Sequence, residues 1–270
     1  MDVRAYLERI CFTGKPEPNL DTLIQLQRQH LLTISYENLD VHLGRRLDLD
    51  LVRSYTKIVN QRRGGWCYEM NGLLEWALRE IGFDVMRMSA GVSRSLKGDV
   101  VLGNHLVLCV HLDQPWIADV GFGDGAFDPI PMTPQRMTQR GFEYGLKKVG
   151  DYWRFINHSG GAADSFDFLY APADETLLAE QCHWLSTADD SPFMSAVVCQ
   201  RFVPQGYEIQ QGLVARQVTT DGEKKWTIQS ADELVETLHT RFALDVPEIA
   251  TIWDQIAASH EKYLASLPGS

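Results

Sequence analysis

Apolar positions recur every three or four residues through most of the first eighty. Over 2–11 they fall at Val3, Tyr6, Leu7 and Ile10, and over 20–32 at Leu20, Leu23, Ile24, Leu26, Leu31 and Leu32, so both stretches are predicted amphipathic helices. A third passes through Leu51, Tyr55 and Ile58, with Asp48 or Asp50 as its cap. A fourth covers 67–81, where Cys67, Met70, Leu74, Ala77, Leu78 and Ile81 form one stripe and Gly82 stands where the helix stops. After Gly82 the period shortens. Segments 83–93, 105–112, 116–122, 152–157 and 165–170 are short, rich in Val, Ile, Phe and Tyr, and divided by Gly, Pro, Asp and Asn, which predicts an antiparallel sheet or small barrel. A helix over about 173–185, strands near 196–203, 206–210, 212–219 and 224–228, a helix opened by Ser230, Ala231 and Asp232, and a last helix with Pro247 in its first turn complete the pattern. The predicted class is α+β, with a helical front, a β middle and a mixed tail.

Composition and charge narrow the partners. The 270 residues are 44% hydrophobic and 23% charged, enough to bury a core without metal or disulfide staples. A net charge of -11 lacks the cationic excess that a nucleic-acid backbone demands, yet leaves room for a small anionic ligand held by local amides. Cys11, Cys67, Cys109, Cys182 and Cys199 are an odd, sparse set without a Cys-x-x-Cys pair, which argues against a disulfide framework and a structural zinc. The opening MDVRAYLERICF lacks the apolar core of a signal peptide, and no stretch is long enough to span a membrane. The expectation is a reduced, cytoplasmic protein with no membrane or nucleic-acid partner.

Candidate chemistry begins at RRGGWCYEMNG, 62–72. Gly64 and Gly65 are expected to break the preceding helix, and a new one starts at or beside Cys67. Unsatisfied amides and the positive end of the helix dipole there favour thiolate; the competing reading is a buried small hydrophobe. A thiol nucleophile needs a base, and the base an orienting group. His105 opens the apolar strand HLVLCVHL after a loop containing Gly103 and Asn104, and Asp119 lies in the apolar run WIADVGFGDG, where a carboxylate needs a partner. Pairing across a turn at Asp113, Gln114 and Pro115 sets Asp119 about level with Cys109, so that reaching His105 calls for a bulge or strong twist. A purely structural His–Asp pair is the alternative. Gly121, Phe122 and Gly123 could bring backbone amides against a ligand, or simply make a turn. His111 beside the turn reads as solvated, Cys109 lies mid-strand, and Cys182 and His183 point apart on a helix.

These residues resemble the arylamine N-acetyltransferase family. RGGWCYEMN at 63–71 fits that family's Arg-Gly-Gly-x-Cys-x-Glu-x-Asn signature, and the His105 strand, DVGFG at 119–123 and YENLD at 36–40 agree with it. The resemblance implies a Cys67–His105–Asp119 triad of papain and transglutaminase type, acetyl-coenzyme A as donor with no metal, and a small aromatic amine, hydrazine or N-arylhydroxylamine as acceptor. It also implies a helical bundle over 1–84, a β-barrel over 85–190 and an α/β lid over 191–270. Gly103, Asn104, Gly121, Phe122 and Gly123 would then contact the donor, and Tyr36, Phe122 and Phe193 the acceptor, in a monomer or homodimer. The oxyanion would be held by the Cys67 amide and one from the loop before His105. One departure is Ser35-Tyr36 where the family often has Pro-Phe, which brings a phenol into an apolar pocket. Arg63, Glu37, Glu69 and Asn71 read as structural polar groups paired with one another. A thiol hydrolase, a silent binding module and an amide synthase with another acyl donor use the same residues and remain open.

Overall fold

A computed structural model describes residues 1–265, so 266–270 of the expected lid lie outside the described residues. Helices α1 (Val3–Arg9) and α2 (Leu20–Thr33) are capped by Asp2 and Asn19, whose side chains accept from the amides of Arg4 and Thr22. Strand β1 (Tyr36–Glu37) and the short helix α3 (Leu39–His42) follow. Of the two candidate caps, Asp50 is the one that opens α4 (Leu51–Tyr55), accepting from the Arg53 amide at 2.9 Å. That helix widens into a π-helical turn, Thr56–Asn60, which the apolar period does not announce. Helix α5 (Cys67–Ile81) has the predicted limits and stops at Gly82, whose φ of 107° lies in the region that glycine alone enters freely.

The β middle comprises β2 (Asp84–Val92), α6 (Arg94–Lys97), a 3-10 turn (Gly98–Val101), β3 (His105–His111), β4 (Pro115–Ala118), β5 (Ile130–Pro131), β6 (Gln135–Gln139), β7 (Phe142–Val149), β8 (Tyr152–Ile156) and β9 (Ser165–Phe168). The strands make one antiparallel sheet in the order β5-β4-β3-β2-β9-β8-β7-β6. It curls around Met88, Val107, Ile117, Tyr144, Phe155, Phe166 and Phe168, while its outer face, with Leu106, Leu108 and Val110, packs on the stripe of α5. Each of the fully buried Leu74 and Leu78 in that stripe contributes about 1.5–3 kcal/mol of transfer free energy. Strands β5 to β7 escape the sequence pattern because β6 has one apolar residue, Met137, and β7 is interrupted by Gly145 and by the lysine pair Lys147 and Lys148. Pairing with neighbours holds them in the sheet.

The tail comprises α7 (Glu175–Thr187), α8 (Pro192–Ser195), β10 (Val198–Val203), β11 (Gly206–Gln211), β12 (Val214–Thr219), β13 (Gly222–Thr227), α9 (Ala231–Phe242) and α10 (Trp253–Ala265). Ser230 caps α9, and Pro247 opens a 3-10 turn, Pro247–Ile252, that runs into α10. The tail sheet is β1-β10-β11-β12-β13, so a strand of the helical front forms its edge, with Tyr36 opposite Gln200. Helix α7 sends Leu178, Cys182 and Leu185 into the apolar cluster of the helical front. All five cysteines are free thiols. No helix among the described residues is long and apolar enough to cross a membrane.

Candidate active site

The double glycine before Cys67 serves close packing, since the helical turn has already ended at Asn60. The chain at 63–65 runs beside β1: Glu37 N–H donates to Gly65 O at 3.0 Å and Gly65 N–H to Ser35 O at 3.2 Å. A Cβ on Gly64 would stand 2.2 Å from Ser35 O, and one on Gly65 3.1 Å from the Glu69 side chain. No larger residue fits at Gly64, and one at Gly65 would have to displace the Glu69 side chain. Cys67 is the first residue of α5, behind the fully buried Trp66, whose ring meets Tyr68 and Phe193 edge-on at 5.1 and 5.6 Å. The thiol is 3% exposed and donates weakly to Asn104 O at 3.9 Å. Burial pushes it up, the amides of Leu106 and Tyr68 pull it down, and nearby Cys182 and Asp119 oppose them. An isolated thiolate is therefore disfavoured, against the expectation from helix position alone; its proton needs an internal acceptor.

His105 is 2% exposed, its ring packed against Phe122 and Phe166. The turn after β3 lies one residue earlier than expected. It holds Leu112, Asp113 and Gln114 only, and Pro115 already stands in β4 opposite His111, a strand-start position that tolerates proline. Cys109 consequently faces Ile117 rather than Asp119, and the expected strand 116–122 stops at Ala118. Asp119 needs no bulge: it leaves the ladder, and its Oδ2 lies 2.8 Å from His105 Nε2. Its Oδ1 accepts from Asn71 Nδ2 and from the Gly121 amide, each at 2.8 Å, and its own amide donates to Gln27 Oε1 at 3.2 Å.

Asn71 corrects one expectation. It pairs not with the charged residues but with the strand end and loop, donating also to Leu106 O at 2.6 Å and accepting from the Val120 amide at 2.9 Å. The signal was available, because Asn71 stands four residues past Cys67 and hence on the same helical face. Gln27 carried a subtler one, a polar residue inside the apolar stripe of α2 whose amide also donates to Ala126 O. Arg63, Glu37 and Glu69 do join a buried ionic cluster, together with Lys57 and Asp40.

The remaining candidates surround this centre. A Cβ on Gly121 would come within 2.6 Å of Cys67 Cα, so the loop touches the helix start; Gly123, at φ 86°, lies against Gln200 Oε1. Phe122 is half-buried beside His105, Phe155 and Phe166. Tyr36 is buried near the sulfur: burial pushes its phenol up, and Cys67 and Asp119 act in the same direction. Phe193 reaches the site through Trp66. The amides of Gly103 and Asn104 donate to Ala90 O and Val101 O, so the amides at the sulfur are those of Leu106 and Tyr68 instead. His111, expected to be solvated, is half-buried and bonded to Tyr170 Oη at 3.0 Å. Hollows of about 890 and 540 Å³ are lined by none of these residues, so the polar constellation rather than cavity size marks the centre.

Comparison with known proteins places the chain in a family. A family model described as N-acetyltransferase matches residues 19–251. The pineal-gland arylamine N-acetyltransferase isozyme of Gallus gallus is 34% identical over 87% of this chain and 88% of its own length, and the Escherichia coli arylamine N-acetyltransferase 36% over 74% and 73%. The Mycobacterium marinum arylamine N-acetyltransferase, solved in complex with CoA, superimposes with a TM-score of 0.86 at 26% identity, covering 97% of this chain and 99% of that one. By sequence and by fold, the chain belongs to the arylamine N-acetyltransferase family.

Proposed function

We propose that the chain moves the acetyl group of acetyl-coenzyme A to an arylamine, arylhydrazine or N-arylhydroxylamine by way of an acetyl-cysteine at Cys67. The observation that carries the roles is the His105–Asp119 bond set beside the first turn of α5. With Nε2–H donated to Asp119, His105 keeps Nδ1 as the basic nitrogen. Burial disfavours a lone thiolate, so the Cys67 proton passes to His105 and the imidazolium rests against Asp119. The thiolate attacks the thioester carbonyl, the bond from carbonyl to coenzyme A sulfur breaks, and the leaving thiolate takes the imidazolium proton. The amine then attacks acetyl-Cys67, gives its proton to His105 and releases the Cys67 thiolate. Amides at the start of α5 serve the oxyanion.

In this reading the faces of Gly121, Phe122 and Gly123, with Gly103 and Asn104 across the cleft, meet the donor, and Tyr36, Phe122 and Phe193 meet the acceptor. We read units near 1–84, 85–190 and 191–270 that share their packing, since the apolar cluster of the helical front also takes in Leu106, Leu178 and Tyr207. The protein works in the cytoplasm as a monomer or homodimer. Steady-state kinetics test the cycle: double-reciprocal plots at several fixed arylamine concentrations run parallel, and coenzyme A competes with the arylamine because both react with the acetylated form. Intersecting plots contradict it, and acetyl-coenzyme A hydrolysis indifferent to arylamine identifies a hydrolase.

A further inference from the structure

Lys57 is unused by this mechanism and missing from the motifs, yet its ammonium is among the most enclosed charges in the molecule. It projects from the π-helical turn Thr56–Asn60, and its side chain is 10% exposed. Nζ lies 2.8 Å from Glu69 Oε2, 2.8 Å from Asp40 Oδ2 and 3.7 Å from Glu37 Oε1. Arg63 closes the other side, at 2.7 Å from Glu37 and 2.9 Å from Asp40. Glu69 is the third residue of α5, and the same Oε2 that meets Lys57 accepts from the Trp66 amide at 3.3 Å. Gly65 packs directly on that side chain. An unbroken chain of contacts thus runs from Asp40 through Lys57 and Glu69 to the residue before Cys67. A free Glu69 would have other rotamers, and α5 could fray by a turn and carry the sulfur and its amides with it.

We propose that Lys57 is a positioning residue for the nucleophile: it fixes the Glu69 carboxylate that ties down the start of α5, and so sets Cys67 against His105 and the Leu106 and Tyr68 amides. The inference rests on the reading of Cys67 as nucleophile. A lysine on an ordinary α-helical turn would be displaced around the axis, and the π turn gives the bulged geometry from which Nζ reaches three carboxylates on β1, α3 and α5.

Single-turnover acetylation by acetyl-coenzyme A without acceptor, followed by intact-protein mass spectrometry, tests this. Lys57→Met is expected to slow acetylation at saturating donor by about 10- to 100-fold, the cost of a small misplacement of reacting groups, with the half-saturating donor concentration unchanged. Lys57→Arg should recover most of the rate. Should Lys57→Met not fold, Lys57→Met/Glu69→Gln removes the opposed charges together and is read in the same assay, again with slowed acetylation expected. Wild-type rates in either folded Met variant, or a loss that appears only in donor saturation, overturn the proposal. Failure of the wild-type protein to acetylate at Cys67 instead removes the nucleophile reading beneath it.

Discussion

Two sets of buried carboxylates flank the same helix, and they are held in opposite ways. On one side of α5, Glu37, Asp40 and Glu69 are met by Lys57 and Arg63 at 2.7–2.9 Å. On the other, Asp119 accepts from Asn71, the Gly121 amide and His105. The first set has its charge neutralised in place and serves as framework. The second is held by neutral donors, which fix its position but leave its charge uncompensated. In the proposed cycle that charge gains a full counter-ion when His105 takes a proton. A cation beside Asp119 would hold it as firmly and remove its influence on the imidazole. Glu69 and Asn71, two residues apart on α5, point to different sides of the helix and connect it to each set.

The contrast predicts different kinds of damage. Asp119→Asn keeps an oxygen for Asn71 and Gly121 but favours the wrong imidazole tautomer; turnover should fall about 10^4-fold while circular dichroism and melting stay near wild type. Arg63→Met leaves Glu37 and Asp40 buried with one cation fewer, so the loss should be in stability, about 3–5 kcal/mol by denaturant unfolding. Asp124 offers a third case, fully buried and bonded to Asn157 Nδ2 and the Ala162 amide. Burial raises its carboxyl from 3.8 to about 6, over the opposing pull of those bonds and of Arg216. A raised folded value means that its contribution to stability is present below about pH 4 and is lost as pH rises through 6. Unfolding at pH 4 and 7 should show the wild type losing up to about 3 kcal/mol more than Asp124→Asn. Asn71→Ala, which frees Asp119 Oδ1 and the Val120 amide, should cost about 10- to 100-fold in kcat, the worth of one hydrogen bond to a charged group.

The same contrast shows what the sequence could reveal. Limits of α5 were legible because Cys67 to Ile81 carries its own period and Gly82 its own stop. The chemistry at Cys67, His105 and Asp119 was legible as residue types in a motif, but their assembly was not. The turn sits one residue earlier, with Pro115 in β4 and Asp119 past the ladder end, and no local pattern distinguishes that register from its neighbour. Gly64 and Gly121 looked like conformational breaks, yet their φ angles are negative or extended, and what excludes a side chain is β1 in one case and Cys67 itself in the other. Such contacts join segments tens of residues apart. Lys57 was invisible for the same reason, since only the π turn and three distant carboxylates give it a place.

The central claim is that Cys67 carries the acetyl group between two half-reactions. Intact-protein mass spectrometry after mixing with acetyl-coenzyme A alone, followed by peptide mapping, tests it most directly. The account predicts one acetyl adduct per chain on the peptide containing Cys67, absent in Cys67→Ser and discharged on adding an arylamine. An unmodified wild-type protein, or an adduct on Cys11, Cys109, Cys182 or Cys199 that an arylamine does not remove, would contradict it.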